Sequence, residues 1–186
     1  VTIGGGGGIV AFSATFVEAA ARSQALATGL AGDRFDAGTL LGLPIAGGND
    51  WLESAGAVKV RSTAETRGTD VSVAIAVGIG GSVNLLEAAA SSLAVATGHD
   101  GGAGNDTLIA RGAVDAGADA ETEALSVQVA LVGANIGDVS TQATARATGL
   151  AGGAGSDRIE AHGEVRSKAR AATDTTAAGF VFTGAS

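Results

Sequence analysis

The sequence predicts an all-β fold, a flattened parallel β-solenoid. Its rungs are long, about 51–56 residues, with Gly/Asp-rich turns on one edge. Three observations carry this. First, a glycine turn recurs: Gly-Gly-Ala-Gly-Asn-Asp-Thr-Leu-Ile at 101–109, Gly-Gly-Ala-Gly-Ser-Asp-Arg-Ile-Glu at 152–160, and a degenerate Ala-Gly-Gly-Asn-Asp-Trp-Leu-Glu at 46–53. Second, the segments between these turns alternate with period two, which means strands with one buried face. Third, one such unit cannot bury its face alone, whereas stacked units can.

Composition narrows the function. The chain has 186 residues, one domain by length, with Lys+Arg 11 against Asp+Glu 19 and a net charge of −8. That balance argues against a nucleic-acid surface or an anionic membrane surface. With 41 Ala and 31 Gly, small side chains fill much of the sequence. The expected core is thin, and a pocket lined by large apolar groups is not expected. Cys is zero, so no disulfide and no Cys-ligated metal can form. No signal peptide is evident, and the longest apolar run, near 71–79, is too short to span a bilayer.

The elements follow in order. Ala-Thr-Gly precedes each turn, at 27–29, 96–98 and 147–149. Gly56, Gly112 and Gly163 follow, then Val58, Val114 and Val165. The first repeat carries an insertion at 32–45 with the only proline, Pro44, which reads as a surface loop. In 58–67, Val58, Val60, Ser62, Ala64 and Thr66 oppose Lys59, Arg61, Thr63, Glu65 and Arg67. The Ala content of 18–27 and 85–96 favours helix. Their aligned copy, 139–147, is Thr-rich and alternates, so strand is expected in all three. A second turn is expected near 78–84 and 134–138. Cut at the glycine turns, the rungs run approximately 1–46, 47–101, 102–152 and 153–186.

Stacking in this register makes columns. Outward charges fall as Lys59–Asp115–Arg166, Arg61–Gly117–Lys168, Thr63–Asp119–Arg170 and Arg67–Glu123–Asp174. An acidic rung thus sits between two mainly basic ones, although Glu65–Glu121 and Glu123–Asp174 are repulsive. Cross-strand opposite charges contribute about 0.2–1 kcal/mol per pair. Apolar columns, Val71–Val127–Ala178, Val73–Val129–Phe180 and Ile75–Leu131–Phe182, are expected to form the thick part of the core. Ala64, Ala120 and Ala171 let the sheets approach closely.

The stretches 101–109 and 152–160 resemble the nonapeptide G-G-x-G-x-D-x-U-x of the repeats-in-toxin proteins. The resemblance implies a parallel β-roll with Ca²⁺ held in its turns. It extends weakly to 46–53, where Ile45 stands in place of the first glycine. The alternating Ala/Thr/Val strands are similar, in composition, to those of giant repetitive secreted bacterial adhesins. The implied metal residues are Gly101, Gly102, Gly104, Asn105 and Asp106, then Gly152, Gly153, Gly155 and Asp157, and Asp50. Glycine permits turns that expose carbonyls, and Ca²⁺ takes six to eight oxygens. Here each nonapeptide is solitary, so the turns would all lie along one edge. A plain Gly-Asp turn without metal stays open.

Other candidates carry less. His99 and His162 read as surface residues, and Trp51 as packing the turn. Asp33 and Asp36 read as solvating the insertion. Gly4–Gly8 lacks the Lys and Ser/Thr of a phosphate loop. The expected function is structural: an extracellular, calcium-stabilised fibre or adhesin stalk, and not an enzyme. Its partners would be further copies stacked head to tail, or adjoining repeats of a longer chain. The chain reads as beginning and ending inside a rung, with no polar cap. The alternatives are a calcium-dependent surface- or polysaccharide-binding module, or the folding module of a larger secreted toxin or enzyme.

Overall fold

The structure is a computed structural model; it describes residues 13–32, 39–40, 43–44, 48–75, 82–131 and 133–182. Among these every regular element is a strand. Long strands β1 (Ser13–Ala31), β6 (Ser82–Asp100) and β9 (Gly133–Ala151) pair in parallel as one sheet. β5 (Val58–Ile75), β8 (Val114–Leu131) and β11 (Val165–Phe182) form a second. Short strands β4 (Trp51–Ser54), β7 (Thr107–Ala110) and β10 (Arg158–Ala161) form a third, just after the glycine turns. The remaining pair, β2 (Thr39–Leu40) and β3 (Leu43–Pro44), is an antiparallel hairpin inside the insertion. The segments 18–27 and 85–96 are strand, not helix.

The ladders fall in the register the repeats predict. Val58, Val114 and Val165 are neighbours, as are Lys59, Asp115 and Arg166. The first rung differs in one place. Thr28 pairs with Thr97, whereas Trp51 pairs with Thr107, so the sequence offset between the first two rungs is longer before the turn than after it. The surplus residues therefore sit between Gly32 and Asp50. The second turn does not fall at 134–138: β8 ends at Leu131 and β9 begins at Gly133, so 134–138 is strand. Residues 82–84 are likewise strand, and 78–81 lie outside the described residues.

The two large sheets interleave. β5 packs across the core against both β1 and β6, β8 against β6 and β9, and β11 against β9. β5, β6, β8 and β9 thus each sit over the gap between two strands opposite, while β1 and β11 each face one. This half-step is what a continuous climbing chain requires. Side chains between the sheets are small. Val60, Ala64, Ala94, Ala96, Ala116, Ala118 and Ala120 are buried together. With so little bulk the sheets approach more closely than the usual ~10 Å. Hydroxyls of one sheet therefore reach backbone carbonyls of the other. Ser62 Oγ donates to Ala25 O (2.7 Å), Thr66 Oγ1 to Ser91 O (2.8 Å) and Thr122 Oγ1 to Gln142 O (2.9 Å). Ser92 donates to Glu121 O, and its Oγ lies 2.5 Å from Thr122 Oγ1. Buried hydroxyls are tolerable here because each has a partner.

One expectation about the core is corrected. The apolar columns align as predicted, but their members at Val71, Val127, Ala178, Val129, Phe180 and Phe182 lie on the outer face; the side chains of Val73, Ile75 and Leu131 lie outside the described ones. Val71 is 63% exposed and Phe182 56%, with Leu125 and Phe180 also exposed. In β8 the inward set runs Val114, Ala116, Ala118, Ala120, Thr122, Ala124, Ser126 and Gln128, without a parity change. Val127 and Val129 therefore point outward. Parity along an unbroken strand decides the face, and it overrides side-chain size.

Candidate functional site: the glycine–aspartate turns

Each glycine turn links a long strand of the first sheet to a short strand of the third. Gly102 and Gly104 have φ of 92° and 141°, and Gly153 and Gly155 have 95° and 138°. These values exclude most L side chains. A β-carbon on Gly104 would also sit 1.9 Å from Gly48 O. Both features fix glycine at Gly104, Gly153 and Gly155, and the φ alone favours it at Gly102.

Stacking brings the predicted residues together on one edge, and a side-chain ladder joins them. Asp50 N–H donates to Asp106 Oδ1 (2.8 Å), and Asp106 N–H donates to Asp157 Oδ1 (3.0 Å). The residues just before them run the opposite way. Asn105 N–H donates to Asn49 Oδ1 (2.8 Å), and Ser156 N–H donates to Asn105 Oδ1 (2.9 Å). Asp and Asn thus couple one turn to the next as hydrogen-bond acceptors, with no ion needed for that role.

The first glycine of each motif makes room for the aspartate. A β-carbon on Gly101 would lie 2.8 Å from Asp106 Oδ2, and one on Gly152 2.4 Å from Asp157 Oδ2. In the first rung this glycine is Gly32, whose β-carbon would lie 2.5 Å from Asp50 Oδ2. The apparent loss of the first glycine at Ile45 is therefore corrected. The insertion separates Gly32 from the rest of its turn.

The middle turn has a further property. Asp106 is 1% exposed, and its Oδ2 has no hydrogen-bond partner. A buried carboxylate oxygen without a donor is costly unless a cation is near. The residues present therefore fit a cation at Asp106. Among the described residues no three His, Asp or Glu side chains converge as a metal site. Calcium would draw its remaining oxygens from turn carbonyls. Some of those are committed: Gly102 O accepts Ala154 N–H and Ala154 O accepts Gly104 N–H. Asn105 Oδ1 is committed to Ser156 as well.

Two other residues, His99 and Trp51, fall differently from expectation, whereas His162 lies at the surface as expected. His99 is fully buried, and neither ring nitrogen has a partner. Burial holds its pKa below the ordinary 6.5. Its ladder neighbours are Leu30 and Leu150. The surface assignment fails because successive residues Gly98 and His99 are both buried, so alternation breaks at the glycine. Trp51 does not pack the turn: it is 67% exposed, with its indole N–H on Glu53 (3.3 Å). His162 is exposed, 3.6 Å from Glu160. Arg111 reaches Glu53 on the neighbouring rung (2.5 Å) and holds that carboxyl below the usual range. Asp33, Asp36 and Gly4–Gly8 lie outside the described residues.

The role of Gly32 in its turn, the burial of His99 and the contacts of the core hydroxyls were not read from the sequence. The hydroxyls had a signal: Ser62, Thr66 and Thr122 stand at inward positions of the alternation. Comparisons of this chain with protein-family models, curated proteins and solved structures gave no match.

Proposed function

We infer that this chain is a structural segment of an extracellular β-solenoid fibre or adhesin stalk. It is lengthened by further rungs stacked on its open sheet edges and stiffened by Ca²⁺ in its glycine turns. The observation that supports this reading is the in-register stacking of three rungs whose outer strands pair with no further strand among the described residues. β1, β4 and β5 form one edge and β9, β10 and β11 the other. The interleaved sheets leave β11 packed against β9 and β1 against β5, half covered at opposite ends. Such edges accept another parallel rung.

Calcium supplies positive charge and oxygen coordination. Asp106 Oδ2 and carbonyls of the glycine turn would hold it. The carboxylate's other oxygen keeps its bond to Asp50 N–H, so an ion would add to the ladder rather than replace it.

The test is thermal unfolding by circular dichroism with Ca²⁺ and after chelation, together with electron microscopy at high salt. A melting temperature that rises with Ca²⁺, and rods that lengthen with concentration, are expected. Chelator-indifferent melting removes the ion and leaves plain turns. Discrete particles at every concentration remove the fibre.

A further inference from the structure

We propose that the rungs of this solenoid alternate in outer-face charge, so that the rung completing either open edge of the β5–β8–β11 sheet is an acidic-faced one. A second copy of this chain in the same register is then the wrong neighbour. The inference rests on the stacking reading above and names the partner that stacking selects.

The argument is a column argument. The outer face of β5 carries Lys59, Arg61 and Arg67 against Glu65. That of β8 carries Asp115, Asp119, Glu121 and Glu123 and no base. That of β11 carries Arg166, Lys168 and Arg170 against Asp174. The parallel ladder places Asp115 between Lys59 and Arg166, and Asp119 beside Arg170. Arg67 closes on Glu123 at 3.0 Å. The acidic strand is the middle one, and both edge strands are basic.

Now extend the ladder by one strand. If β5 of a second copy followed β11, the valine column would continue from Val165 to Val58. Arg166 would then stand beside Lys59 and Lys168 beside Arg61, two repulsive pairs against the one attractive pair, Asp174 beside Arg67. Like charges directly opposed across a ladder are destabilising, and the edge is exposed to salt screening. A strand with the charges of β8 would instead meet each edge with two opposite-charge pairs, at Lys59 and Arg67 on one side and at Arg166 and Arg170 on the other, against one like-charge pair each, at Glu65 and at Asp174. Three rungs in the order basic, acidic, basic cannot tile by self-repetition without a basic–basic seam.

Arg61 and Lys168 give a clean test. Within the chain they flank Gly117, which carries no charge, and the Arg61 guanidinium lies over that glycine. Changing either leaves its own ladder neighbour uncharged. Self-association of the full chain, of Lys168→Glu, of Arg61→Glu and of the double variant would be followed by sedimentation velocity over a salt series. Circular dichroism would confirm that each variant folds.

Each single variant should associate about tenfold more tightly than the parent chain at low salt, and salt should weaken it. The parent should associate more strongly as salt rises. The double variant, with Glu beside Glu at the seam, should lose the gain. Equal association of all four, with one shared salt dependence, would overturn the alternation and leave the stacking intact. No association by any of them at any salt would overturn the stacking itself, and the alternation with it.

Discussion

Val165 Cγ1 lies 2.3 Å from the point where a β-carbon on Gly149 would stand. The same relationship joins Gly98 to Val114 (2.4 Å) and Gly29 to Val58 (2.8 Å). The recurrence of Ala-Thr-Gly before each turn and of valine after it is thus one fact. The valine methyl occupies the space that glycine leaves.

Gly149→Ala should therefore destabilise the fold by about 1–3 kcal/mol, the cost of forcing a methylene into a filled site. At Gly149 the close atoms belong to the side chains of Val165 and Ser167, not to backbone. Adding Val165→Ala should recover part of the loss. Urea unfolding of the two single variants and the double checks this, and the expected coupling is strongly non-additive.

His99→Leu should stabilise the protein. The buried imidazole has two unpartnered nitrogens, and the neighbouring rungs carry Leu30 and Leu150 in the same column. Removing an unsatisfied buried polar group gains about 1–3 kcal/mol. The pH dependence has a definite sign. Burial lowers the folded pKa below 6.5, so on acidification the unfolded chain takes the proton first. His99 therefore costs stability as pH falls below about 6.5. Denaturation at pH 7.5 and 5.5 should show a larger gap between the two proteins at the lower pH.

Asp106 separates its two oxygens. Asp106→Asn keeps an acceptor for Asp50 N–H and removes the buried negative charge. In chelator it should melt at or above the parent protein, and it should lose the Ca²⁺-dependent rise. Asp106→Ala removes the acceptor as well and should cost about 1–3 kcal/mol with or without Ca²⁺. A Ca²⁺ response that survives in Asp106→Asn would place the ion elsewhere. Melting curves of the three proteins decide it.

Thr122→Val tests the hydroxyl contacts between the sheets. The shape is nearly kept, but Gln142 O loses the hydroxyl that donates to it, while Ser92 Oγ keeps Glu121 O. A loss of about 1–3 kcal/mol is expected in urea unfolding.

How much of this was legible in the sequence follows from where its repetition is strict. Columns such as Lys59–Asp115–Arg166 could be written down because equal offsets fix equal registers. The inside and outside of the far half could not. Val71, Val127 and Phe180 have core chemistry, and only strand parity counted from Val114 sends them outward. Gly32 was hidden because an insertion stands between it and Asp50, so local alignment put Ile45 in its place. His99 was hidden because alternation breaks at Gly98, where the chain turns the edge. The Asp50–Asp106–Asp157 column was legible as a column. Its backbone N–H ladder was not, since carboxylates in a row suggest repulsion until their donors are located.

The central claim is that three rungs stack in parallel and in register. The chain has no cysteine, so spin labels can be placed singly at Lys59, Asp115 and Arg166 after substitution to Cys. Paired labels at 59 and 115, and at 115 and 166, should show strong dipolar broadening from strands about 4.8 Å apart. The pair at 59 and 166, two strands apart, should show weaker coupling. Absence of coupling between 59 and 115, with coupling instead between 59 and a label at Thr97, would mean antiparallel pairing of β5 with β6 and would contradict the stacked solenoid.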